Sequence, residues 1–116
     1  CLLKFNMEKK INHEYNNELD ILHVYTDEIK QGVKGCISIG YSTLDINNDN
    51  EVIGIEIEEA SEIFQVSKEF LSDLDNVGLG ITNVNNNLFI GVNLIKGQEK
   101  TNLQLNFPNK DQLIIH

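Results

Sequence analysis

Apolar residues recur at every second position through most of this chain, and that period is the mark of β-strands with one buried face. The run EVIGIEIEE places Ile53, Ile55 and Ile57 on one side and Val52, Gly54, Glu56 and Glu58 on the other. Asparagines cluster where the alternation breaks, at Asn16-Asn17, Asn47-Asn48 and Asn85-Asn86-Asn87. Asn tolerates the left-handed backbone of tight hairpins, so these clusters predict turns near Asn16, Asn48 and Asn86. The first predicted hairpin is KINHEY, turn NN, ELDILHVYT. A strand from about Gly35 to Ile46 then turns at Asn48-Asp49 and returns as EVIGIEIEE. A two-residue loop there would pair Leu44 with Ile53, Ser42 with Ile55 and Gly40 with Ile57. The small residues opposite the isoleucines would leave room for a bulkier element.

The period changes after Glu59. Ile63, Val66, Phe70 and Leu74 recur at intervals of three and four, with Phe64 and Leu71 beside them, which is helical spacing. Ser61 and Ser67 are both plausible N-caps. The stretch reads either as one helix within about 60–75 or as a short turn followed by a second helix capped by Ser67. Strand-like runs resume as VGLGITNV, NNNLFIGVNLI and TNLQLNF, and Pro108 ends the last of them. The expected fold is therefore α+β: an antiparallel sheet of about six or seven strands in two meanders, with the helical segment packed on one face. The whole chain, 1–116, reads as a single domain, with residues 1–6 either disordered or an upstream extension.

Charge narrows the classes of partner. The chain has 18 acidic residues against nine lysines, no arginine, and a formal net charge of −9. Arginine supplies the bidentate contacts to phosphate and guanine, so nucleic acid and anionic membrane surfaces are not expected partners. Two cysteines, Cys1 and Cys36, without CxxC spacing imply neither a disulfide framework nor a zinc site. No apolar run is long enough for a membrane helix, and a cytoplasmic protein is expected.

The segment from Tyr15 through Ser61 resembles the small prokaryotic family known as domain of unknown function 2283. The residues that carry the likeness are YNNELDILHVY, with a tyrosine, a turn, an acidic residue and an alternating strand, and LDINNDNEVIGIEIEEAS. GIEIEEAS is the most specific piece. Asn50 stands where the family commonly has Gly, and His23 where an aromatic is common. The resemblance implies a β-rich fold and no established activity. For a heterologous partner it implies a small basic, toxin-like protein.

Several constellations invite a chemical reading. Asp45, Asn47, Asp49 and Glu56 have the spacing of an EF-hand calcium loop, with Asn50 at the glycine position. Strands flank this loop instead of helices, and an extended 51–58 would carry Glu56 ~23 Å along the chain from Asp49. The loop is read as a hairpin turn; Asp45, Asn47 and Asp49 remain only weak metal candidates. His13 would face Asp20 across a two-residue turn, but Ser38, Ser42 and Thr43 lack the elbow of an activated nucleophile. His13 and His23 lack a third metal ligand. GLGITN has no third glycine and no following helix, so it is not a dinucleotide fingerprint. Glu56, Glu58, Glu59 and Glu62 form an acidic patch that could dock a basic protein.

The sequence thus predicts a non-enzymatic protein-interaction module with no catalytic residues and no cofactor. It would act by self-association, with a homodimer expected, or by binding a basic protein in an antitoxin-like manner. The alternative is a small-ligand or cation-binding protein using the Asp45–Asp49 turn. One of the uncharged runs LFIGVNLI and TNLQLNF is expected to be covered by a partner.

Overall fold

In a computed structural model of the chain, residues 10–108 and the backbone of Lys4–Phe5 are described. Among the described residues nine strands form two antiparallel sheets. The five-stranded sheet contains β2 (Ile11–Asn16), β3 (Ile21–Thr26), β4 (Gly35–Ile39), β5 (Ser42–Ile46) and β6 (Val52–Ile57), in the order β2-β3-β6-β5-β4. The four-stranded sheet contains β1 (Lys4–Phe5), β7 (Asn76–Val84), β8 (Asn87–Lys96) and β9 (Glu99–Phe107), in the order β1-β7-β8-β9. Between the sheets in sequence come two five-residue helices, α1 (Ala60–Phe64) and α2 (Lys68–Ser72). A short 3-10 turn, Asp27–Gln31, follows β3.

The antiparallel, mostly β architecture with small helices agrees with the coarse expectation. A single sheet of about six or seven strands does not. Each meander has its own apolar face, and those faces are buried together in one cluster. Leu22, Val24, Leu44, Ile55 and Ile57 come from one sheet, and Val77, Leu79, Ile90, Val92 and Leu94 from the other. β7 lies against β2 and β3, while α1 touches β9 and α2 touches β2. A helical segment of 16 residues is too small to cover a sheet of this width, so the second sheet takes that role.

The expected helix over 60–75 is broken in the middle. Gln65 closes α1 in a left-handed conformation, with φ 58°. Ser67 then opens α2, its side chain accepting the Phe70 N–H at 3.0 Å. Ser61 does not cap; the cap position of α1 is Glu59, at φ 52° and with no side-chain cap bond.

The turns fall near the asparagine clusters, with two corrections of register. Asn85 and Asn86, at φ 49° and 67°, make the two-residue loop between β7 and β8. That pairing of left-handed residues matches the strand twist, as in NG-type hairpins. Between β2 and β3, Asn16 pairs with Ile21 and His13 with Val24, so the loop is four residues and His13 does not face Asp20. Between β5 and β6 the pairs are Ser42–Ile57, Leu44–Ile55 and Ile46–Val52, with an irregularity at Asp45/Ile46. The loop is longer than two residues because Asn47 organises it. Its Oδ1 accepts the N–H groups of Asp49 and Glu51, both at 2.9 Å.

One shared core predicts one cooperative unfolding transition. Ile55→Ala and Ile90→Ala lie in different sheets, and both side chains are fully buried. Each should lower stability by about 2–5 kcal/mol. Urea melts followed by tyrosine fluorescence and by far-UV dichroism should coincide for both variants. Two separated transitions would contradict a common core.

Candidate functional site

The outward face of the five-stranded sheet holds the main cluster of titratable side chains. Strand order, not sequence proximity, assembles it. One row across the strands is Glu14, His23, Glu56, Thr43 and Ser38; the next is Asn12, Tyr25, Gly54, Asp45 and Cys36. His23 Nε2 lies 2.8 Å from Asp45 Oδ2, diagonally across β6. Cys36 Sγ donates a weak 3.8 Å contact to Asp45 Oδ1 from the other side. Tyr25 packs against His23 with ring centroids 4.6 Å apart and donates its hydroxyl to Glu14.

Gly54 makes this arrangement sterically feasible. A Cβ there would lie 2.6 Å from Asp45 Oδ2 and 3.1 Å from Tyr25 Cβ. The missing side chain lets the carboxylate lie flat on β6 and reach His23, the kind of close approach for which a strand glycine is retained. Burial pulls His23 toward its neutral form. The bond to Asp45, the Asp45 charge and the nearby Glu56 and Glu14 outweigh it, so the His23 pKa is raised. Burial pushes the Cys36 thiol up as well, and Asp45 and Glu56 push it further. A nucleophilic cysteine needs the opposite environment, one that favours thiolate.

A second cluster fixes the end of the β2–β3 hairpin. Asp20 sits at φ 56°. Its Oδ1 accepts the Tyr15 hydroxyl at 2.6 Å and the Ser61 N–H at 3.0 Å, and its Oδ2 accepts the Ser61 hydroxyl at 2.7 Å. Its carbonyl accepts the Ala60 N–H at 3.0 Å. Asp20 thus supplies from the β2–β3 turn the cap that Glu59 does not provide. Burial works against the Asp20 charge, but the bonds from Tyr15 and Ser61 prevail and lower its pKa. Burial and Asp20 together raise the Tyr15 phenol well above its ordinary range. Tyr15, Asp20 and Ser61 are architectural in this arrangement: they dock the hairpin onto the start of α1.

The other residues singled out in the sequence do not converge. Asp45 is buried in the His23 cluster, Asn47 Oδ1 is engaged by two backbone N–H groups, and Asp49 is exposed on the turn. Among the described residues no group of three or more His, Cys, Asp or Glu side chains is placed to hold a metal ion. Glu56 is half-buried in the sheet row beside His23, whereas Glu58, Glu59 and Glu62 are exposed around the start of α1. Ser38 and Thr43 share a 3.3 Å hydroxyl contact.

Two open depressions mark the four-stranded sheet. One, of about 390 Å³, lies over Gly78, Asn93 and Asn102, with Lys100 on its lining. The other, of about 260 Å³, is apolar and runs between the sheets, bordered by Ile39, Tyr41, Ile57, Ile63, Leu103 and Leu105. Its far wall is β9, an edge strand with no neighbour among the described strands beyond it. β8, the other uncharged strand noted in the sequence, is interior, between β7 and β9.

No helix among the described residues is long and apolar enough to cross a membrane. Comparison of the chain with protein-family models, with curated proteins and with solved structures found no match in any of the three.

The His23–Asp45 contact yields a signed pH dependence. Because the folded pKa of His23 is raised, its contribution to stability is fully present below the unfolded value of about 6.5 and is lost as pH rises through the folded pKa. His23→Gln should therefore destabilise the protein more at acidic than at alkaline pH. Gly54→Ala should displace the Asp45 carboxylate and bring the His23 pKa down, read from the imidazole proton shifts in an NMR titration. An unchanged His23 titration in Gly54→Ala would show that the glycine does not control the contact.

Proposed function

We propose that this chain is a non-enzymatic protein-interaction module that receives a partner's strand on the edge of β9 that no described strand covers. The observation that carries the reading is the character of that edge. β9 is nine residues long and ends its sheet. From Thr101 to Phe107 it has no charge and no proline. Edge strands that remain alone are usually guarded by an inward charge, a proline, a bulge or a covering segment. An unguarded edge presents a row of backbone donors and acceptors, the basis of recognition by strand addition.

The inner side of β9 supports the same reading. Leu103 pairs with Val92 and Leu105 with Ile90. Val92 and Ile90 are fully buried, while Leu103 and Leu105 are only half-buried and border the inter-sheet groove. A strand added beyond β9 would cover them. The cluster around Asp45 favours this reading over catalysis and over a cation-binding turn. Its thiol is held protonated, and the carboxylate that would begin a calcium loop is already engaged.

Asn102 and Gln104 are exposed, on the outward side of β9. Lysine at both positions would guard the edge without touching the core. The double variant Asn102→Lys/Gln104→Lys should retain wild-type stability to within about 1 kcal/mol. In light scattering at ~100 µM, chosen because interfaces below about 1,200 Å² are weak, it should have monomer mass while the wild type is heavier. A wild type whose larger mass survives the double substitution would place the interaction elsewhere.

A further inference from the structure

The centre of β9 reads Asn102-Leu103-Gln104-Leu105-Asn106, the same in both directions. The symmetry is meaningful in space as well as in sequence. Leu103 and Leu105 lie on the inner side and Asn102, Gln104 and Asn106 on the outer side. Two antiparallel copies related by a two-fold axis at Gln104 would set Leu103 against the partner copy's leucine at position 105. Asn102 would meet asparagine at 106, and Gln104 would meet itself. Every side chain would face its own chemical kind, amide on amide and leucine on leucine. Self-complementarity of this sort is the requirement of an isologous interface.

From this we infer that the strand received by β9 is β9 of a second copy, paired antiparallel about Gln104. The inference rests on the strand-addition reading above and specifies its partner and register. The two four-stranded sheets would join into one continuous sheet across the two-fold axis. The half-buried leucines would gain apolar neighbours, and one end of each inter-sheet groove would abut the seam. Cross-strand pairs are the unit of sheet stabilisation, and side chains directly opposite contact each other at about 4.5–5.5 Å between Cβ atoms.

Charge separates this partner from a basic one. Two copies at −9 each repel at long range, although the paired segment itself is neutral. Added salt screens that repulsion and should strengthen the dimer. A basic protein would be attracted by the same charge, and salt would weaken its binding.

Register is tested by crosslinking single cysteines, with Cys1 and Cys36 replaced by serine. A two-fold axis at Gln104 separates the two copies of position 102 by ~14 Å along the strands, and likewise the two copies of position 106, whereas 102 lies directly opposite 106. With a short bis-maleimide that spans ~8 Å, less than this separation, Gln104→Cys should give a crosslinked dimer. Asn102→Cys alone and Asn106→Cys alone should not, and their mixture should. Sedimentation should show tighter association at high salt, and Asn102→Lys/Gln104→Lys should raise the dimer dissociation constant about 5-fold, since the two lysines at 104 would then face each other. If Asn102→Cys crosslinks to itself as well as Gln104→Cys does, the register is wrong while strand addition at β9 survives. A monomeric wild type at ~100 µM in both low and high salt would overturn the second-copy assignment. A dimer insensitive to the lysine substitutions would overturn the β9 reading itself.

Discussion

Two sheets, each with one apolar face, must cover each other, and this mutual burial is the constraint on which the rest of the molecule depends. Ile55 and Ile57 of one sheet share a single cluster with Ile90 and Val92 of the other, and all four are fully buried. Removing apolar surface from water contributes ~25 cal/mol per Å², so neither meander is expected to hold its shape with its inner face wet. The constraint also explains the two short helices. They carry the chain from one layer to the other and fill the rim between them, where α1 meets β9 and α2 meets β2. It also explains why β9 is the place where coverage runs out. β8 has strands on both sides and its inner residues are sealed, whereas β9 has one neighbour among the described strands and its leucines are half-covered.

Polar groups then fix how the layers connect. Asp20 gathers four hydrogen bonds, from Tyr15, the N–H groups of Ala60 and Ser61, and the Ser61 hydroxyl. It thereby ties the first hairpin to the point where the chain leaves the five-stranded sheet. On the outer face of that sheet His23, Asp45 and Cys36 lie on three strands, with Gly54 of a fourth beneath the carboxylate. These side chains are engaged with one another. On β9 the outward Asn102, Gln104 and Asn106 are neutral and exposed. The chemistry that β9 presents on its outward side is therefore backbone and amide.

Much of the fold was legible in the sequence because β-periodicity and asparagine turns are local signals. The Ile53-Ile55-Ile57 stripe, the loop at Asn85-Asn86 and the Ser67 cap follow from a few neighbouring residues each. What depends on loop length was displaced. Asn47 and Asn16 each draw extra residues into their turns by accepting backbone N–H groups, which shifts the pairing of β5 with β6 and separates His13 from Asp20. What depends on strand order was hidden. His23 and Asp45 are 22 residues apart, and nothing linear places β6 between their strands. Gly54, a glycine inside an otherwise strong strand, was the one visible sign that something approaches closely there. Similarly, two uncharged strands could be noted in the sequence, but only the topology separates the interior β8 from the edge β9.

The central claim is that the outer edge of β9 is paired in the working protein. Amide hydrogen exchange of β9 at high and low protein concentration tests it most directly. In an antiparallel pair about half of the edge strand's N–H groups point outward toward the added strand. The account predicts that within Thr101–Phe107 alternate amides are protected at ~100 µM and become labile on dilution to ~1 µM, while the β7 and β8 amides do not change. Alternate β9 amides that exchange equally fast at both concentrations would contradict it.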